Sequence, residues 1–322
     1  MAHEIESMAY AGATPWHRLG KKVEGDATRN GSDFMVAAGM DWEAHKKPLY
    51  IKDDNGDFQV TQDSFAVIRN TDNKYLGTVG AQWDPIQPKF VFDWFQPIVD
   101  KGFALYETAG SLRDGRVIFA LAKLTAGQGE VVKGDNIERY CLLSTSFDGT
   151  LSTRCGFTNV RVVCANTLAI AHDRKNTGNQ LLRVKHSPNA KDVLLKIQQT
   201  MDLANKQFVA TMDTYRFLAK SKIVNKNDLK EYVMKVLDIT PDDNDTLSTR
   251  QANRVQQIVD LTYNGTGAEI SQGTWWNAYN AVTEYLSHSA GRNEDNRYSS
   301  LWFGTGADQN RRALELAIQV AG

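Results

Sequence analysis

Arg154, Arg161, Arg183 and Lys185, with Lys175 and the pair Asn166-Thr167 between them, are the residues of this chain suited to one definite chemistry, the gripping of phosphate oxygens. Guanidinium, ammonium, hydroxyl and amide groups all contact phosphate without reading base sequence. Ser152-Thr153-Arg154 offers two hydroxyls and a guanidinium, and Thr158-Asn159-Val160-Arg161 offers an amide and a second guanidinium. Asn166-Thr167 falls where a helix should begin, and a helix start presents free N–H groups to a phosphate. Arg183-Val184-Lys185-His186-Ser187 alternates cation and apolar residue, the pattern of a strand with one basic face. Residues 151–222 hold twelve Lys or Arg against four Asp, a net charge of +8. Residues 1–150 carry −5 and residues 223–322 carry −4, so the formal charge of the whole is only −1. A local cationic stretch attracts a polyanion, with an affinity that falls as salt rises.

Other chemistries are poorly supported. Cys155, Cys164 and His172 are close in sequence, but a nucleophile needs a base oriented by a third group, and a metal site needs a further ligand. There is no CxxC or HExxH pattern and no phosphate loop of the Gly-x4-Gly-Lys-Ser/Thr type. Gly304-Thr305-Gly306 lacks the third glycine of a dinucleotide fingerprint, because position 309 is Gln. No cofactor or metal is expected, and the chain reads as non-enzymatic. Three cysteines, Cys141, Cys155 and Cys164, cannot all pair and read as reduced, mostly buried thiols. No apolar run approaches the roughly 20 residues that span a bilayer. The start, MAHEIESMAYAG, lacks the pattern of a secretory signal. A cytoplasmic protein with no membrane partner is expected.

The elements that must position these residues follow an α+β pattern: a mostly antiparallel sheet with a packed helix in the N-terminal half, and a helical C-terminal half. Residues 1–32 read as an irregular arm, with Trp16 as its anchor. Residues 33–189 read as a sheet domain carrying the basic region. Strands are expected at 58–60, 65–69, 75–79, 103–111, 115–124 and 137–147, with 151–157 returning after the Asp148-Gly149 turn. A helix begins after Pro88, with apolar positions 91, 94, 95, 98 and 99 on one stripe. Residues 190–322 read as a helical region packed on the sheet domain. It contains one long helix over 190–221 and further helices near 227–238, 246–263, 274–288 and 307–320. Phe147, Phe157 and Tyr140 lie beside the basic strands and are candidates for base stacking, with core packing the commoner use. Trp275-Trp276 and Trp302-Phe303 read as core or subunit contacts.

At Arg161-Val162-Val163-Cys164-Ala165-Asn166-Thr167-Leu168 the chain resembles the "phage/plasmid-like protein" family, a domain of unknown function carried by phages, prophages and plasmids. Pro15 to Gly20, Ser144 to Gly149 and Tyr298 to Gly306 fit the same family. The resemblance implies a mobile-element protein acting in a bacterial host cell. The rhythm of strands followed by a long basic helix is similar in architecture to single-strand annealing recombination proteins, which form rings or filaments and hold DNA in a basic groove. The expected function is therefore that of a non-enzymatic, homo-oligomeric DNA-binding protein, with single strands preferred over duplex. Arg154, Arg161, Lys175, Arg183 and Lys185 would hold phosphates, and Asn166-Thr167 would add helix-start contacts. Two alternatives stay open. One is a protein-binding inhibitor of a host defence system, its acidic flanks mimicking nucleic acid. The other is an enzyme with an unrecognised site.

Overall fold

In the computed structural model the described residues are 5–12, 19–125, 129–161, 181–199, 203–243, 246–291, 300 and 305–322. They form an α+β protein with two antiparallel sheets and a helical C-terminal half. The strands are β1 (Ile5–Tyr10), β2 (Lys21–Lys22), β3 (Ala44–Lys52), β4 (Phe58–Arg69), β5 (Tyr75–Gly80), β6 (Ala104–Leu112), β7 (Val117–Leu124), β8 (Gly129–Glu130), β9 (Asn136–Ser146), β10 (Thr153–Arg161) and β11 (Leu181–Val184). The helices are α1 (Gly31–Ala37), α2 (Pro88–Asp100), α3 (Ala190–Gln199), α4 (Leu203–Lys220), α5 (Lys226–Val236), α6 (Thr249–Asn264), α7 (Trp275–Glu284) and α8 (Thr305–Ala321). The larger sheet runs β11-β10-β9-β7-β6-β1-β2, with β8 paired to β9, and the smaller runs β3-β4-β5. The short β1–β2 pair is parallel.

By its contacts the chain divides into two compact units. One comprises residues 1–126, 140–157 and 180–202, and the other residues 127–139, 158–179 and 203–322. The first is built around Phe34, Trp94, Phe95, Tyr106, Ile118 and Phe147. Helix α2 supplies much of this core. Gln87 precedes it, Pro88 takes the first turn where a missing N–H is harmless, and Val91, Trp94, Phe95, Ile98 and Val99 face inward. The second unit closes around Tyr215, Tyr232, Trp275, Trp276, Tyr279 and Leu286. Its helices start on conventional caps. Asn225 accepts from Asn227 N–H, Ser248 and Gln251 form a reciprocal capping box, and Thr274 accepts from Asn277 N–H. Asp242 ties the turn before α6 by accepting from the backbone and hydroxyl of Thr246.

Several expectations need correction. The N-terminal segment is not irregular throughout. Ile5–Tyr10 is a strand, paired antiparallel with β6 from Ile5↔Leu112 to Tyr10↔Thr108. Its partner lies about a hundred residues away, so no local pattern marked it. The expected strands at 58–60 and 65–69 are one strand, β4, with an irregularity opposite Pro48 and Tyr50. The sequence reading also missed α1 and β3. The expected helix over 190–221 is described as α3 and α4, and residues 200–202 lie outside the described residues. No described helix is long and apolar enough to cross a membrane. Trp16, Trp302 and Phe303 lie outside the described residues.

Candidate nucleic-acid interface

The β9–β10 hairpin places the basic strands. Asp148 closes its turn by accepting from the Thr150 backbone N–H at 2.9 Å and from the Thr150 hydroxyl at 2.6 Å. Gly149 follows with φ 74°, a left-handed conformation that glycine takes without strain. Ser146 Oγ then bridges the strands, donating to the Leu151 carbonyl and accepting from the Leu151 N–H. Gly77 of β5 lies so close to Asp148 that a Cβ there would overlap the Asp148 backbone. β10 therefore leaves the turn in one register, and β11 pairs with it as Thr153↔Val184, Arg154↔Arg183, Cys155↔Leu182 and Gly156↔Leu181.

Strand alternation decides what each residue meets. Thr145 and Thr153 hydrogen-bond through their hydroxyls at 2.9 Å, so they share a face. Cys141, Leu143, Phe147 and Cys155 lie in phase with them and join the first core. Arg154 alternates onto the other face, with Leu142 and Ser144 on the neighbouring strand, and these are buried as well. Arg154 is 4% exposed. It sits inside the protein, not at a surface where an incoming phosphate would meet it, because the sheet is covered on both sides at this point.

The other expected contacts separate into two groups. Arg161 closes β10 and Arg183 lies in β11, while Lys185 follows β11 and is exposed. Asn166, Thr167 and Lys175 lie outside the described residues, as do Cys164 and His172. Sequence reasoning passed over Lys191 and Lys196 as contacts, although it counted their charge. Both stand exposed on α3, just beyond Lys185, and Lys191 Nζ lies 5.9 Å from the Phe90 ring centre. None of Lys185, Lys191 and Lys196 has an acidic partner among the described residues. Elsewhere many surface cations are paired, as in Lys89–Asp93, Arg216–Asp213 and Arg311–Glu315.

His186 anchors the chain between Lys185 and α3. Its ring stacks on Trp83, with centroids 4.9 Å apart and planes 20° apart. Nδ1 lies 3.2 Å from the Asp84 carbonyl oxygen, while Nε2 lies 3.3 Å from Thr145 Oγ1 and 3.4 Å from Thr153 Oγ1. A carbonyl can only accept, so Nδ1 carries the hydrogen and Nε2 accepts from a threonine hydroxyl. Burial holds the imidazole below its ordinary value of 6.5, against the opposing effects of the Asp84 and Leu151 backbone and of nearby carboxylates. The ring is thus a neutral clamp between β9, β10 and the segment before α2. Both threonines are buried, which closes the cluster to a substrate.

The remaining chemical groups are equally shut in. Burial pushes the Cys155 thiol up to about 12, so it is not a thiolate nucleophile at neutral pH. Cys141 is also a buried free thiol. Of the aromatic candidates for stacking, Tyr140 and Phe147 are buried, and Phe157 packs partly against the first core. Trp275 and Trp276 are core residues of the second unit, where Trp276 donates to Asp135 at 2.7 Å.

No curated protein and no solved structure matches this chain. A family described as a domain of unknown function, DUF932, matches residues 75–302, which takes in most of the larger sheet, the basic segment and helices α2 to α7. On that match the chain belongs to the DUF932 family.

Proposed function

We propose that this is a non-enzymatic nucleic-acid-binding protein that takes single-stranded DNA through the basic segment and acts in annealing or recombination for a phage or plasmid. One observation carries the reading. Lys185, Lys191 and Lys196 are exposed within twelve residues of one another and have no acidic partner among the described residues. Unpaired surface ammonium groups on the +8 segment are what a phosphate backbone needs, because neutralising phosphates releases condensed counterions. Arg183, in β11, belongs to the same basic segment, while the expected contacts Asn166, Thr167 and Lys175 lie outside the described residues. Arg154 would support β10 from inside and not touch the ligand. The resemblance of Arg161 to Leu168 to phage and plasmid proteins supports the biological setting.

The test is fluorescence anisotropy with a labelled single-stranded oligonucleotide across a salt series. Affinity should fall linearly in log–log form, with a slope of about −0.7 per phosphate contacted. The triple change Lys185→Glu, Lys191→Glu and Lys196→Glu should weaken binding and flatten that slope. No binding at low salt would overturn the reading. A protein-binding inhibitor of a host defence system is the second reading, favoured by exposed aromatic and aliphatic side chains on the β3–β4 hairpin. A stable host partner co-purifying without nucleic acid would support it.

A further inference from the structure

We propose that Asn55, at the tip of the β3–β4 hairpin, is a self-modification site that converts to aspartate and isoaspartate through a succinimide, while the other Asn-Gly pairs of the folded chain stay intact. This inference does not depend on nucleic-acid binding. Asn-Gly occurs at Asn30-Gly31, Asn55-Gly56 and Asn264-Gly265. The chemistry open to each is the same. The glycine backbone nitrogen loses its proton and attacks Cγ of the asparagine, forming an N–Cγ bond. The Cγ–Nδ2 bond breaks, and ammonia leaves with a proton. Water then opens the cyclic imide, giving aspartate by attack at the side-chain carbonyl or isoaspartate by attack at the main-chain carbonyl. One water is consumed and one ammonia released, with no change of oxidation state. Glycine favours the attack because it has no Cβ to block the approach. Whether the fold lets that nitrogen turn towards that carbon is where the three pairs differ.

Two of the pairs are locked. Asn30 caps α1, its Oδ1 accepting from the N–H groups of Ser32 and Asp33. Gly31 is buried, and its N–H donates to Gln96 Oε1 at 2.8 Å. A Cβ on Gly31 would lie 2.6 Å from the Tyr106 hydroxyl, so that backbone has no room to turn. Asn264 ends α6, and the Gly265 N–H donates to the Leu261 carbonyl at 2.8 Å. A Cβ on Gly265 would lie 2.6 Å from a Glu284 carboxylate oxygen. Cyclisation at either pair would have to break a packed helix end. Asn55 and Gly56 are both exposed, and the Asn55 side-chain amide makes no hydrogen bond among the described residues. Gly56 takes φ 91°, and its N–H is held by the Asp53 carbonyl, 3.0 Å away across the turn. A Cβ on Gly56 would approach only the Lys52 side chain, at 3.5 Å. β5 pairs with β4 only from Ser64 to Ile68, so it does not steady the tip. An exposed turn at the end of a two-stranded hairpin opens at small cost. The product alters the turn that made it. Asp53 now accepts from the Asn55 and Asp57 N–H groups through Oδ1 and from Gln59 through Oδ2. Isoaspartate lengthens the main chain by a methylene between these partners and sets a new carboxylate beside Asp53, Asp54 and Asp57.

Incubation of the full, folded chain for days at mildly alkaline pH is the test, read by mass-spectrometric peptide mapping and by enzymatic methylation of isoaspartyl carboxylates. Asn55 should convert about tenfold or more faster than Asn30 or Asn264, a ratio set by the extra opening free energy that the packed helix ends demand. Isoaspartate and aspartate should both form at position 55. In urea the three rates should draw together, because the fold is what separates them. An Asn55 that keeps its amide in the folded chain would overturn the proposal. So would equal rates at the three pairs while folded, or a ratio that urea leaves unchanged. Aspartate without isoaspartate would mean direct hydrolysis of the side chain and would overturn the succinimide route.

Discussion

Arg154 stands directly opposite Arg183 in the antiparallel pairing of β10 with β11. Two residues of the basic segment, 29 positions apart, are thus cross-strand neighbours, and Arg154 of that pair is buried. Charge counted along the chain therefore mixes interior cations with surface ones, and the two kinds should answer differently to substitution. Arg154→Ala removes a long buried side chain and should lower stability by about 2 kcal/mol, a typical interior loss. Lys185→Glu should leave the melting temperature nearly unchanged and weaken oligonucleotide binding. Measuring both quantities on both variants separates the roles. A Lys185→Glu protein that melts early while Arg154→Ala melts normally would reverse the assignment.

His186 predicts how stability should depend on pH. Burial lowers its pKa in the folded protein below the ordinary 6.5. As pH falls through 6.5 the unfolded chain takes up the proton first, so unfolding gains. The clamp contributes fully above about pH 6.5 and loses its contribution progressively below it. Urea midpoints between about pH 5 and 8 should decline on the acid side, and His186→Gln should lessen that decline.

A second charge network works in the opposite chemical sense. Arg69 donates two hydrogen bonds of 2.8 Å to Glu6 and others to Asp72, with Lys74 3.3 Å from Glu6. Burial alone would raise Glu6, but hydrogen bonds from Arg69 and Ser111, with the charges of Arg69 and Lys74, outweigh it and leave it below 4.5. The Arg69 hydrogen bonds likewise hold Asp72 down to about 2. Removing Arg69 leaves the partly buried Glu6 carboxylate with only Lys74 and Ser111, so Arg69→Met should cost about 3 kcal/mol at neutral pH. Because Glu6 is depressed in the fold, its contribution is present above about pH 4.5 and fades on acidification. Adding Glu6→Gln to Arg69→Met should recover part of the loss, as a double-mutant cycle would register.

Cys155 and Cys141 should resist alkylation in the native protein. Both are buried, and the Cys155 thiol is pushed up to about 12. Iodoacetamide at mildly alkaline pH, followed by mass spectrometric mapping, should find both unmodified until denaturant is added. Rapid labelling of Cys155 in the folded chain would contradict its burial.

Asn310 on α8 is 1% exposed, and neither polar atom of its amide group has a hydrogen-bond partner among the described residues. An unsatisfied buried amide costs free energy that an apolar side chain of similar size does not. Asn310→Leu should raise stability by about 1 kcal/mol, read as a later unfolding transition. A destabilised variant would mean that the amide is matched in solution.

The sequence by itself determined the features that depend on near neighbours. Helix α2 was legible from Pro88 and the stripe through Val91, Trp94 and Val99, because helical spacing needs only the segment itself. The Asp148-Gly149 turn was legible for the same reason: the carboxylate and the glycine close it within three residues. The α+β order and the location of the basic segment followed from such local signals. Tertiary structure alone decided that Ile5–Tyr10 joins β6, since that pairing spans about a hundred residues and leaves no local trace. It also decided that Arg154 is interior while Lys185, Lys191 and Lys196 are open to solvent. Alternation says only that neighbouring strand residues face opposite ways. Which faces are covered depends on what packs against them, and that is settled by contacts between distant parts of the chain.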